Sequence, residues 1–174
     1  ILAELEHGAV GLAFSSGMAA VSAAMQLLSA GDHAVVAYDC YISTYHMFAN
    51  DLTRFGIESD FVDVTDIEEI ERALKPNTRM IYIESPSNPL LEIADLAALA
   101  EIGRAAGAWT VVDNTFASPY CQNPIDHGID IVLHSATKYM GGHSDLIGGA
   151  AIARIAEIGE LLRDRQYHLG AVPG

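Results

Sequence analysis

Short apolar runs alternate along the chain with longer stretches of helical period. The runs 34–38, 56–62, 79–84, 109–113, 129–133 and 147–153 are rich in Val and Ile and bounded by Gly, Asp or Pro. Runs of that length and make-up suit strands buried on both faces. Between them, residues 18–28, 41–55, 67–74, 95–106 and 155–169 place apolar residues at helical spacing. Asp66 is a good N-cap for the third of these, Glu68 and Glu69 favour its first turn, and Pro76 stops it. Gly31 and Gly107 stand where C-caps belong. Residues 1–6 read as part of a helix. Alternating strands and helices with short links predict βαβ units, hence an α/β fold with a mainly parallel sheet sandwiched by helices. No linker or repeat interrupts it, so residues 1–174 are expected to form one domain, a fragment of a longer chain.

Composition narrows the function. The 174 residues are 51% hydrophobic and 18% charged, which excludes disorder. Lys plus Arg number 9 against 23 Asp plus Glu, for a net charge of -14. Such a surface does not attract nucleic acid or anionic membranes, so neither is expected as a partner. No apolar stretch is long enough for a transmembrane helix. The two cysteines, Cys40 and Cys121, read as packing residues in a reducing, cytoplasmic compartment rather than as a disulfide framework. The seven His show no metal-ligand spacing, so no metal site is expected. GxGxxG, Walker and G-x-S-x-G signatures are all missing.

In open α/β sheets, ligands bind beyond the carboxyl ends of the strands. The residues there are polar: Asp39-Cys40-Tyr41, Glu84-Ser85-Pro86-Ser87-Asn88, Asp113-Asn114-Thr115 and His134-Ser135-Ala136-Thr137-Lys138. Lys138, fenced by hydroxyls and by Gly141-Gly142, is either a desolvated amine nucleophile or an ordinary surface lysine. Asp113 either caps the next turn or pairs with the protonated ring nitrogen of pyridoxal phosphate, keeping that ring an electron sink. Ser15-Ser16-Gly17-Met18 opens a helix, where free N–H groups and the dipole receive an anion; simple capping by Ser16 is the alternative. Tyr41 either stacks on a planar ring or packs half-buried. Asn88 either donates to a phenolic oxygen or belongs to an ordinary Pro-rich turn.

Taken in order, these segments resemble the Cys/Met-metabolism family of pyridoxal-phosphate enzymes, the cystathionine gamma-synthases, gamma-lyases and beta-lyases and the methionine gamma-lyases. The most specific stretch is Ser135-Ala136-Thr137-Lys138-Tyr139-Met140-Gly141-Gly142-His143-Ser144-Asp145. Ser16-Gly17-Met18, Asp39-Cys40-Tyr41, Glu84-Ser85-Pro86-Ser87-Asn88-Pro89 and Val112-Asp113-Asn114-Thr115 support it.

The resemblance implies the large cofactor-binding domain of a fold type I enzyme, with pyridoxal 5'-phosphate as cofactor. Lys138 would hold the cofactor covalently and then shuttle the substrate proton. Tyr41 would stack on the ring and assist proton transfer, and Asp113, with Thr115 beside it, would serve the ring nitrogen. Gly17, Met18, Ser135 and Thr137 would hold the phosphate, and Asn88 would lie near the phenolate. The implied reaction is elimination or replacement at the beta or gamma carbon of cystathionine, methionine or an activated homoserine. The expected partners are a small amino-acid substrate and further copies of the chain, as a dimer of dimers. Family members are longer; the N-terminal arm and the C-terminal domain that complete their sites have no counterpart here, so a truncated, non-catalytic domain with an assembly role is the alternative. Ser43 and Ser144 stand where methionine gamma-lyases and sulfhydrylases often carry Cys and Gly, which favours a cystathionine-type enzyme.

Overall fold

The computed structural model describes residues 1–174. Seven strands form one sheet in the order β1-β7-β6-β5-β4-β2-β3. They are β1 (Val10–Phe14), β2 (His33–Ala37), β3 (Glu58–Val62), β4 (Thr78–Glu84), β5 (Trp109–Asp113), β6 (Ile131–Ser135) and β7 (Gly149–Ala153). Strands β3, β2, β4, β5 and β6 pair in parallel, whereas β7 runs antiparallel to both β6 and β1. β1 is an element that the apolar runs did not predict. It is short, carries Gly11 and Ala13, and alternates only weakly, with Leu12 and Phe14 buried. Its pairing with β7 over five residues, Val10 with Ala153 to Phe14 with Gly149, defines it, and that partner lies far along the chain.

The central parallel strands are buried because helices cover both faces, whereas β3, at the sheet edge, is buried only at Val62. β2, β7 and most of β4 are fully buried, which is why their sequences read as apolar runs rather than alternations. The main helices are α1 (Leu2–Leu5), α2 (Gly17–Met25), α3 (Ile42–His46), α4 (Ile67–Ala73), α5 (Leu96–Ala106), α6 (Ser118–Cys121) and α7 (Ala156–Leu169). α7 lies against Val10 and α1 against Gly11, so the two helices sit on opposite faces of β1. α4 and α5 start as expected: Asp66 accepts from the Glu68 and Glu69 N–H groups, and Asp95 accepts from Ala98. Gly107 ends α5 at φ +66°. Gly31 is also left-handed, but α2 already ends at Met25, so this glycine turns the chain into β2 instead of capping the helix. The segment expected as one helix over 41–55 is α3 followed by a wider π turn over Met47–Asp51 and a tight 3-10 turn over Leu52–Phe55. No helix is long and apolar enough to cross a membrane.

The sheet's organisation creates the site. From β2 the chain moves outward to β3, then returns across β2 to β4 and continues to β5 and β6. Successive connections therefore leave β2 and β4 in opposite directions, and a crevice opens at the carboxyl ends of the central strands.

Candidate active site

That crevice is a cleft of about 370 Å³. Gly17, Met18, Tyr41, Asn88, Asp113, Thr115, Ser135, Thr137 and Lys138, separated by up to 121 residues in sequence, all line it. Val21, Thr44 and Phe116 line it as well and were not singled out from the sequence, and Glu84, quoted there only as the start of a polar segment, lines it too. Of these only Glu84 carried a legible signal, as a charged residue closing an otherwise buried apolar strand.

The start of α2 forms one wall. Ser16 caps the helix, its Oγ accepting from the Ala19 N–H at 3.1 Å. The Gly17 and Met18 N–H groups, at the first two helical positions, have no intrahelical acceptor. Only glycine lets this end approach β6: a Cβ at position 17 would stand 2.9 Å from Ser135 Cβ. Capping and an anion site thus coexist, because the cap takes the third N–H and leaves the first two. Ser135 Oγ makes no hydrogen bond within the chain and borders the same space. Thr137 is committed elsewhere. Its hydroxyl donates to the Gly148 carbonyl at 3.2 Å and accepts from the Gly148 N–H at 3.1 Å.

Asp113 ends β5. Its Oδ1 accepts from both the Thr115 N–H (3.0 Å) and the Thr115 hydroxyl (2.5 Å). The turn-capping reading is therefore fulfilled by one oxygen, and Oδ2 remains for the cleft. Thr115 Oγ1 also accepts the Ser135 N–H at 2.8 Å, tying the end of β6 to this carboxyl. Burial raises the Asp113 pKa from the usual carboxylate value, opposed by the two Thr115 bonds and by nearby His134. Glu84, only 6% exposed, is pushed up to about 8, by burial first and then by the charge of Asp113.

Behind Asp113 and Asn114 lies a buried polar network. Glu6 Oε1 is paired with His134 Nε2 by a short hydrogen bond and accepts from Asn114 Nδ2 at 2.8 Å. Both Glu6 and His134 are inaccessible to solvent. Gln122 completes the set, donating to Asn114 Oδ1 and to the Ser85 carbonyl. Nothing in the local pattern around residue 6 pointed to this role.

Lys138 borders the cleft but is exposed in the turn after β6, the surface side of the two readings left open for it. The reading of both cysteines as packing residues needs correction at one of them. Cys40 is buried, and its thiol is pushed up to about 12 by burial and by Glu84, so it is a packing residue; Cys121 is exposed and is not.

The donor set fits a planar cofactor bearing a phosphate and a protonated ring nitrogen. Free helix N–H groups and the Ser135 hydroxyl suit the anion, the Asp113 carboxylate suits the cation, and Lys138 offers an amine to an aldehyde. Residues 1–174 match the profile of the Cys/Met metabolism PLP-dependent enzymes. The chain belongs to this family. It is 52% identical over 174 residues to cystathionine gamma-lyase of Bacillus subtilis (strain 168), covering 100% of this chain and 46% of the relative. It is 49% identical over 173 residues to a probable cystathionine gamma-synthase of Herpetosiphon aurantiacus, covering 99% and 54% respectively. Among family structures, cystathionine gamma-lyase from Lactobacillus plantarum, complexed with L-serine, superposes with a TM-score of 0.97 at 45% identity, covering 99% of this chain and 45% of that one. The chain therefore spans about half the length of the relatives it matches.

Proposed function

We propose that residues 1–174 are the cofactor-binding domain of a cytoplasmic pyridoxal-phosphate-dependent lyase or transferase. Its substrates would be sulfur amino acids or activated homoserines, undergoing beta or gamma elimination or gamma replacement. One observation carries the reading: Lys138, Asp113 and the open N-terminus of α2 converge on a single cleft from three distant stretches of sequence. The resemblance to cystathionine lyases and a probable synthase supports this substrate class.

When bound, pyridoxal phosphate supplies an electron sink for the carbanion left by loss of the substrate's alpha proton. The chain's own residues do the rest. The Gly17 and Met18 N–H groups and the Ser135 hydroxyl hold the phosphate. Asp113, steadied by Thr115, stays anionic beside a cationic ring nitrogen. Tyr41 covers the ring, and Asn88 serves its phenolic oxygen. The Lys138 amine would hold the cofactor through its aldehyde, and its Nζ would accept and return the substrate's alpha proton. Because Lys138 is exposed in this chain, its desolvation must come from other parts of the protein or from a second copy, in keeping with a homo-oligomer.

The test is covalent trapping. Full-length protein mixed with pyridoxal phosphate should turn yellow, and borohydride should bleach it and leave a phosphopyridoxyl group on Lys138 by peptide mapping. Product assays on cystathionine, methionine and acyl-homoserines then assign the reaction. A protein that stays colourless, or carries no label at Lys138, would overturn the proposal.

A further inference from the structure

Glu84 sits among the proposed cofactor residues, yet none of the roles above uses it. It is the last residue of β4 and stands in register with Asp113, the last residue of the parallel neighbour β5. In-register residues of adjacent parallel strands project to the same side, about 5 Å apart. Both side chains accordingly line the same cleft. The Glu84 carboxyl reaches one step further across the sheet, where Oε2 accepts the Tyr41 backbone N–H at 2.7 Å. Tyr41 is the residue immediately before α3 and is 44% exposed, so its ring has little packing to fix it. The hydrogen bond to Glu84 is the polar contact that sets where this turn stands relative to β4 and β5.

The geometry points to Glu84 as a positioning residue, which holds the Tyr41 turn over the ring site and stands as the neutral carboxyl beside the charged one of Asp113. This rests on the cofactor reading given above. Two carboxyls this close in a sheltered cleft cannot both ionise without a cation between them. The groups acting on Glu84 are the acids Asp113 and Asp39 and the Tyr41 N–H, and the one cationic side chain lining the same cleft, Lys138, is exposed. A cationic ring nitrogen at Asp113 selects Asp113 as the ionised partner. Glu84 then keeps its proton, and burial raises its proton affinity in the same sense. A neutral carboxyl still accepts the Tyr41 N–H. It adds no second negative charge to compete for the ring nitrogen.

Two variants of the full-length protein separate these functions. Glu84→Gln keeps an acceptor for Tyr41 and is permanently neutral; Glu84→Ala has no acceptor. Affinity for pyridoxal phosphate, read by fluorescence, and visible circular dichroism of the bound cofactor are measured from pH 6 to pH 9 beside far-UV spectra. The expectation is that Glu84→Gln binds within threefold of wild type, while Glu84→Ala binds at least tenfold more weakly with an altered visible band. Wild type should also show a pH-dependent change in that band that Glu84→Gln lacks. If Glu84→Ala matches wild type, or if folded Glu84→Gln is as weak as Glu84→Ala, the inference is wrong. Should Glu84→Ala fail to fold, the pH dependence decides: identical profiles for wild type and Glu84→Gln overturn it. Wild-type protein that binds no cofactor would instead sink the function proposed above, so the two failures are distinguishable.

Discussion

Glu84 and Asp113 end adjacent parallel strands in register, and the cleft is lined by both carboxyls at once. Placing two acids side by side in a sheltered crevice costs stability whenever both are charged, unless a cation arrives. That pairing is a physical reason to expect a positively charged ligand group here.

The pair makes the cofactor-free protein sensitive to pH in a defined direction. Glu84 titrates near 4.5 when unfolded and at about 8 when folded, so the native state holds the proton more tightly. Its stabilising effect is complete below about pH 4.5 and is lost as pH rises toward 8. The loss approaches about 1.4 kcal/mol per pH unit for a full proton. The upward shift of Asp113 has the same sign. His33, lowered by burial, acts oppositely near neutrality, so the comparison must be with Glu84→Gln rather than with wild type alone. Urea unfolding at pH 5 and pH 8 should show Glu84→Gln gaining on wild type at the higher pH. No relative gain would contradict the assignment.

Gly17→Ala should damage the proposed phosphate wall more than the fold. The new Cβ meets Ser135 Cβ at 2.9 Å and Ser135 Cα at 3.0 Å, so the start of α2 must move away from β6. Overpacking of this kind costs about 1–3 kcal/mol. A larger relative effect is expected on cofactor affinity, a loss of tenfold or more by fluorescence titration. Unchanged affinity would show that these N–H groups do not hold the phosphate.

Thr115→Val keeps the shape but removes a hydroxyl with two tasks, donating to Asp113 Oδ1 and accepting from the Ser135 N–H. Leaving the Ser135 N–H unpaired should cost about 1–3 kcal/mol. Losing the donor should raise the Asp113 pKa further, since both Thr115 bonds favour the charged form. The prediction is a weaker hold on pyridoxal phosphate that worsens as pH falls. A pH-independent loss would argue that Thr115 acts only on the backbone.

Glu6→Ala tests the buried network behind the site. It strands His134 and Asn114, both inaccessible to solvent, without their shared acceptor. Removing one member of such a pair costs on the order of 3 kcal/mol. Denaturant unfolding should report that loss, and Glu6→Gln, which keeps one acceptor, should recover part of it. A loss below about 0.5 kcal/mol, as at an ordinary surface site, would show the network to be inconsequential.

Much of this molecule was readable from residue order. The parallel strands announced themselves because burial on both faces demands unbroken apolar runs, as in His33–Ala37 and Thr78–Glu84. Helix starts were equally legible where a local side chain makes the cap, as at Asp66 and Asp95. The residues that line the cleft were legible because strand carboxyl ends are where such sheets bind ligands, and those ends were conspicuously polar.

Other features exist only in three dimensions. β1 is a strand because Gly149–Ala153, some 140 residues away, offers it an antiparallel edge. Glu6 is a buried acid because His134 and Asn114 meet it across the fold. Glu84 acquires its proton affinity from burial in the folded cleft and then from the charge of Asp113 on the neighbouring strand. Periodicity and capping are local energies, set by residues within a few positions and therefore written in the sequence. Strand pairing, burial and charge coupling depend on which distant groups come together, and only the folded arrangement decides that.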